Sequence, residues 1–206
     1  MRLTLAVRTA NKVSSKALSS CFPTSVTLKD IPYSVRYAWS SELIKQEREI
    51  IFSITNDNMR EMAESSSMRW DASEKQNELF HKHSRFIIVY RASGDTEGRD
   101  DIAGFVMFRF DEEYDENMIY CYELQLMKSS KRSGIGRFLI ETLSRIGAKY
   151  SMHCIKLTAL KVNTLAMGFY IAVGFKLDFT SPDYVDEEDP DAEPEECDYQ
   201  ILRKDV

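Results

Sequence analysis

Apolar residues along the chain switch between two periods, and the switches predict most of its elements. From about residue 40 to 65, Leu43, Ile50, Ile51, Ile54, Met59 and Met62 recur mostly three and four apart, with Glu and Lys between them. That spacing predicts an amphipathic helix. Asn56-Asp57-Asn58 is expected to interrupt it and start a second one. A polar helix follows through residues 74–78. Residues 85–90, 102–110 and 118–127 read as strands, with a turn at 93–100 and an acidic connection at 111–116. Gly134 opens a helix to about residue 150, with Phe138, Leu139, Leu143 and Ile146 on one face. Residues 154–160 form a fourth strand and 163–173 a helix ended by Gly174 as a left-handed cap. A strand at 175–179 and a last one at 199–202 enclose a Pro- and acid-rich stretch, 183–198, expected to be a mobile loop. There are no internal repeats. The order predicts an α+β fold, with strands flanked by helices rather than strict βαβ alternation.

Charge adds a second layer. The 206 residues carry a net charge of −6, unevenly spread. Residues 1–29 hold Arg2, Arg8, Lys12, Lys16 and Lys29 and no acid, whereas 183–198 hold ten acids and no base. A net negative chain argues against general DNA binding and is compatible with a cationic protein substrate. We therefore divide the chain into a basic N-terminal segment, 1–35, and a domain, 36–206. The segment reads as a helix packing on the domain; its Ser-rich, basic composition also fits a mitochondrial transit peptide. No run approaches the ~20 apolar residues of a membrane span. Cys21, Cys121, Cys154 and Cys197 form no Cys-x-x-Cys pair, which suits a reducing compartment. His81, His83 and His153 have no metal-site company, so no metal is expected.

The segment Lys131-Arg132-Ser133-Gly134-Ile135-Gly136 lies between an apolar strand and a helix. Glycines at that spacing let backbone N–H groups close on a phosphate, and the helix N-terminus adds unpaired donors and partial positive charge. Lys131 and Arg132 add cations.

Three segments together resemble the GNAT superfamily of N-acetyltransferases. The clamp resembles that family's Arg/Gln-x-x-Gly-x-Gly/Ala pyrophosphate loop, with Lys131 where the pattern has Arg or Gln. Leu124-Gln125-Leu126-Met127 resembles the strand whose backbone pairs with the pantetheine arm of acetyl-CoA. Asn163-x-x-Ala166-x-x-Phe169-Tyr170-x-x-x-Gly174-Phe175 is similar to the last helix, where an Asn touches the cofactor and a Tyr protonates the leaving thiolate. The resemblance implies a mixed, mostly antiparallel sheet split at a β-bulge, with helices on both faces. It implies acetyl-CoA as cofactor, bound by Leu124, Gln125, Leu126, Met127, Lys131, Arg132, Ser133, Gly134, Ile135, Gly136 and Asn163.

Within the superfamily, Tyr120-Cys121-Tyr122-Glu123-Leu124-Gln125-Leu126, Phe110-Asp111 with its acidic sequel, Trp70 in Met-Arg-Trp-Asp, and Cys197-Asp198-Tyr199-Gln200-Ile201-Leu202 look like the type D N-terminal acetyltransferases. That resemblance implies acetylation of the α-amine of histone H4 and histone 2A, which begin Ser-Gly-Arg-Gly, by a monomer working in cytoplasm and nucleus. A ribosome contact through the basic segment is a further expectation.

The reaction needs a base for an amine whose ordinary pKa is ~8. Glu123 is a carboxylate in a largely apolar, aromatic strand, where burial would raise its pKa; the resemblance gives it the same role, through a water. The alternative is a surface Glu on an edge strand. Strict alternation puts Tyr120, Tyr122, Leu124 and Leu126 on one face and Cys121, Glu123 and Gln125 on the other, unless a bulge breaks the parity. Asp111 and Glu113 read as a solvated turn or, by the resemblance, as carboxylates for the peptide's N-terminus and its third-position Arg. Tyr120, Tyr122, Trp70 and Tyr199 would wall the small first residues, with Thr158 a further contact. Tyr170 is the acid implied by the resemblance; Asn163 binds pantetheine, caps its helix, or both. Cys121 has no evident activating base and is not placed as a nucleophile. A lysine ε-amine or small-molecule amine acetyltransferase, and an inactive CoA-binding or ribosome-docking module, are the competing readings.

Overall fold

A computed structural model describes residues 3–91, 101–186 and 194–206. Its strands are β1 (Ser25–Leu28), β2 (Ile31–Trp39), β3 (Arg85–Arg91), β4 (Ile102–Glu113), β5 (Glu116–Leu126), β6 (Cys154–Leu160), β7 (Lys176–Leu177) and β8 (Tyr199–Asp205). They form one sheet in the order β1-β2-β3-β4-β5-β6-β8-β7. Every pairing is antiparallel except β5 with β6. The helices are α1 (Leu5–Ala10), α2 (Ser15–Cys21), α3 (Lys45–Glu64), α4 (Ala72–Leu79), α5 (Ile135–Lys149) and α6 (Thr164–Ala172). One core cluster joins Val7, Leu18, Leu139, Leu143 and Ile146 to Val106, Phe108 and Phe110 of β4. The other joins Ile51, Ile54 and Leu79 to Phe105 and Met107, which alternate with them on the opposite face. The expected α+β sheet with helices on both faces is what the chain forms.

Several local expectations change. The α3 helix runs unbroken through Asn56-Asp57-Asn58. Asn58 donates its side-chain amide to Gln125 Oε1 and Leu126 O, both at 3.0 Å, so it does not compete for its own helix backbone. Tyr33, Val35 and Tyr37 are buried at every second position of β2, a strand the sequence reading left unassigned. The acidic connection is shorter than expected. The β4 and β5 strands continue to Glu113 and Glu116, and only Tyr114 and Asp115 turn, both at positive φ (49° and 61°) as a two-residue hairpin requires. Asp111 and Glu113 are therefore strand residues of fixed direction. The strand expected at 175–179 shrinks to the two residues of β7. The turn expected at 93–100 lies outside the described residues, as do 187–193 of the acidic stretch. Its two ends are tied down: Asp183 accepts from Gln200 at 2.7 Å, and Asp198 accepts from Ser67 N and Oγ at 2.6 Å.

The basic segment folds as two short helices plus β1. Val7, Ala10 and Leu18 are buried against β4 and β2. Arg85, 1% exposed, fastens them: it donates to Val13 O (2.7 Å) and Ala10 O (2.9 Å) and lies 3.6 Å over the Trp39 ring. Arg85→Met leaves Val13 O without its donor and Ala10 O with the Val13 N–H alone, and it removes the stacking on Trp39; an unsatisfied buried carbonyl costs about 1–3 kcal/mol. Urea unfolding should show a loss of about 2–5 kcal/mol, with proteolytic cutting near residues 10–14 appearing first. A stability equal to wild type would refute this fastening.

Candidate active site

The β5 strand pairs with β6 only from Met118 to Tyr120, against Cys154 to Lys156. Beyond that point β6 continues with β8, while residues 121–126 of β5 keep β4 alone. The sheet is thus split, and beyond Tyr120 the backbone of β5 has no strand partner on the β6 side among the described residues. The clamp closes the end of the split. Gly134 is the N-cap of α5, at φ +98°, and has no side chain to cap it; of the helix's first N–H groups, that of Ile135 makes a long 3.5 Å contact to Ser133 Oγ. The Ser133 hydroxyl donates to Ser130 O at 2.7 Å. Arg132 takes φ +61°, and its carbonyl accepts from Lys29 of the β1–β2 turn at 2.8 Å. A Cβ on Gly136 would stand 3.1 Å from the Phe169 ring, so glycine also lets α5 approach α6. Lys131 and Arg132 are exposed.

A bulge then reorders β5. Phe108 pairs with Cys121 but Met107 pairs with Glu123, so Tyr122 is the extra residue. The alternation expected along β5 fails at that point. Tyr120, Tyr122, Glu123 and Gln125 share the α3 and α4 face, while Cys121, Leu124 and Leu126 turn to the core cluster beneath α5. Leu124, Gln125 and Leu126 can offer a ligand only the backbone groups that face the split, and Leu126 O already accepts from Asn58. The Met127 N–H donates to Ala103 O at 3.0 Å.

Glu123 sits at the root of the split, 6% exposed. Lys75 Nζ of α4 is 3.1 Å from Oε1, and Gln125 Nε2 donates to Oε2 at 2.7 Å. Burial pushes the Glu123 carboxyl up and outweighs the opposing Lys75 charge and Gln125 hydrogen bond. It is a buried carboxylate, not a surface Glu on an edge strand.

Around it, Tyr120 and Tyr122 pack at 4.8 Å, and Tyr120 Oη shares a 2.6 Å hydrogen bond with Thr158 of β6 across the split. Arg109 stacks 4.2 Å over Tyr122 and is held by Glu78 O. Asp111 and Glu113 lie further along the same face. Glu113 is engaged by Lys156 at 3.0 Å and remains 42% exposed. Asp111 has no ion pair among the described residues; its Oδ1 accepts from Glu112 N at 2.9 Å. Trp70 is half-buried in the α3–α4 connection, which Ser67 ties to the residue before Tyr199.

Tyr170 is buried between Phe169 and Phe175. Burial first, then the neighbouring Cys121 and Glu123, hold its hydroxyl well above the usual pKa. Burial likewise pushes the Cys121 thiol up, which suits a core residue and not a nucleophile. The Asn163 side chain accepts from Ala166 N at 3.2 Å, so it does cap α6.

A family model described as "Acetyltransferase (GNAT) family" matches residues 49–175. The chain belongs to the GNAT acetyltransferase family. Solved structures with the same fold include Arabidopsis thaliana NAA60 in complex with acetyl-CoA (13% identity, TM-score 0.59, 84% of this chain and 99% of that one). The NatC complex bound to Gag peptide and CoA matches at 13% identity and a TM-score of 0.56, over 84% and 98%. Ard1 from Thermoplasma volcanium matches at 13% and 0.55, over 84% and 97%. At these identities the likeness is one of fold.

The cofactor of this GNAT chain is acetyl-CoA, and its residues fit that group. The N-terminus of α5 with a glycine N-cap, that glycine's positive φ and two exposed cations suit a pyrophosphate. The unpartnered edge of β5 suits an amide-bearing arm. Gly134→Val places a branched side chain at φ +98° and in the approach to the helix N-terminus. Calorimetric titration with CoA should show affinity falling about tenfold or more, the scale of losing one charge-assisted contact; an unchanged Kd would remove the loop from the site.

Four residues of this arrangement went unnoticed in the sequence: Lys75, Arg109, Lys156 and Lys29. Arg109 and Lys156 did carry a signal, being lone cations in apolar strands. Lys75 and Lys29, in a polar helix and a turn, carried none.

Proposed function

We propose that the protein acetylates the N-terminal α-amine of a polypeptide beginning Ser-Gly-Arg, as histone H4 and histone 2A do, with Glu123 as general base. The observation that carries this reading is the bulge at Tyr122, which gathers Glu123, Tyr120, Tyr122, Asp111 and Glu113 on one face beside the split. Bound acetyl-CoA supplies the thioester carbonyl that the amine attacks. Glu123, buried beside Lys75, takes in its carboxylate form the proton the amine loses, directly or through one water. Tyr170 retains its proton beside the same residues and would be the acid for the leaving sulfur. The Tyr120–Tyr122 wall, pinned by Thr158, favours small first residues. Asp111 offers a carboxylate to the incoming ammonium or to an Arg side chain.

Acids dominate 183–198, which would draw a basic tail toward the cleft. The type D resemblance in residues 120–126 and 197–202 supports the histone choice, and with it a place in cytoplasm and nucleus. Structures of NAA60 with a bisubstrate analogue and of NatC with a peptide share the fold, which suits a peptide substrate.

The test is transfer of labelled acetyl to Ser-Gly-Arg-Gly-Lys, against the same peptide blocked at its α-amine. Labelling of the free peptide alone is expected. Equal labelling of both would make the enzyme a lysine acetyltransferase. Labelling of small amines alone would remove the peptide reading, and CoA binding without transfer to anything would make it an inactive module.

A further inference from the structure

Lys75 is a half-buried cation to which the reaction above gives no role of its own. It enters from α4 between two carboxylates, 3.1 Å from Glu123 Oε1 and 2.6 Å from Glu78 Oε1. Gln125 occupies the other Glu123 oxygen, and Asn58 of α3 in turn holds Gln125. Every donor on the Glu123 carboxylate is thereby fixed by a second contact. The remaining surroundings are Cys121 and Tyr122 on its own strand, Met107 opposite on β4 with Arg109 beyond Tyr122, and Tyr170 from α6.

We propose that Lys75 is a positioning residue for the catalytic base, shared between Glu123 and Glu78 so that its charge stays paired when Glu123 takes up a proton. This rests on the reading of Glu123 as base. A buried carboxylate alone would be neutral at pH 7 and could accept nothing. The ammonium offsets part of that burial. A cation held by Glu123 alone would bind the ionised form too well, and would be stranded once the base was protonated. Glu78, more exposed and only three residues away on α4, keeps the ammonium paired through the cycle.

The two partners are therefore expected to act in opposite directions. In Lys75→Met the acid limb of kcat/KM should move up by about one pH unit or more, the usual effect of losing an opposite charge at this distance. In Glu78→Gln it should move down. Lys75→Arg should restore a near wild-type profile, and the KM for acetyl-CoA should not change. A titration of 13Cδ-labelled glutamate by NMR in the free chain reads the same shifts without turnover. Thermal melts show whether each variant is folded.

Coincident titrations of wild type and Lys75→Met, or shifts of one sign in both variants, would overturn the proposal while leaving Glu123 as base. Full turnover by Glu123→Gln would instead remove the base assignment, and the catalytic role of Lys75 with it, whatever the titrations show.

Discussion

Glu123→Gln is expected to lower kcat by about 10²–10⁴-fold, the usual contribution of a positioned base, with the Kd for acetyl-CoA unchanged. The substitution keeps shape and removes only the capacity to accept a proton. It does not strand a charge, because Lys75 retains Glu78 at 2.6 Å. Stability should therefore hold or rise slightly, since a buried carboxylate has been replaced by a neutral amide. In the wild type the rate should fall as pH drops through the Glu123 pKa, which burial holds above the ordinary carboxyl value. In the variant that limb disappears, and the remaining rate should climb with pH as the substrate amine, of pKa ~8, loses its own proton. Single-turnover rates from pH 5 to 9 check this. A variant within a few-fold of wild type at pH 7 would show that the amine is deprotonated elsewhere.

The donor half of this site was legible in the chain because its chemistry is local. Lys131–Gly136 carries its glycines, cations and helix start within six residues, and the structure adds only the φ of Gly134 and the brace from Lys29. The acceptor half was legible in its residues but not in their arrangement. A run such as Tyr120–Leu126 satisfies simple alternation, so its pattern does not say where an extra residue is inserted. The partner strand decides that, by pairing Met107 with Glu123 and Phe108 with Cys121. The direction of Glu123 hangs on that one register shift. The same limit applied to Asn58, which by local preference should break α3 and instead spends its amide on β5.

Lys156 marks the second place where a long-range pairing outweighs local pattern, and its loss should cost the most stability. Its side chain is 1% exposed in the apolar strand β6, 3.1 Å from Asp178 and 3.0 Å from Glu113. Burial depresses the ammonium, but the two carboxylates outweigh it. Asp178 is fully buried; burial pushes its carboxyl up, and the Thr180 hydrogen bonds with Lys156 more than reverse this, holding it below the ordinary value. Lys156→Met removes the cation and leaves Asp178 to the Thr180 donors and to Arg203, whose Nη1 is 3.7 Å away. Breaking a buried pair from one side costs about 3–5 kcal/mol.

The pH dependence gives the sign of the cause. Wild-type Asp178 has a depressed pKa, so its stabilisation is present above the unfolded carboxyl value of ~3.9 and lost as pH falls through the folded one. In Lys156→Met burial acts without the ammonium and raises that pKa. The deficit against wild type should then be largest near pH 7 and shrink on acidification toward pH 5. Adding Asp178→Asn should recover part of the loss at pH 7, because the neutral amide no longer needs a counter-ion. Urea titrations of the four proteins at pH 5 and 7 measure both effects. A deficit that is equal at the two pH values and additive in the double variant would assign the cost to lost packing of the Lys156 stem, not to the charge it neutralises.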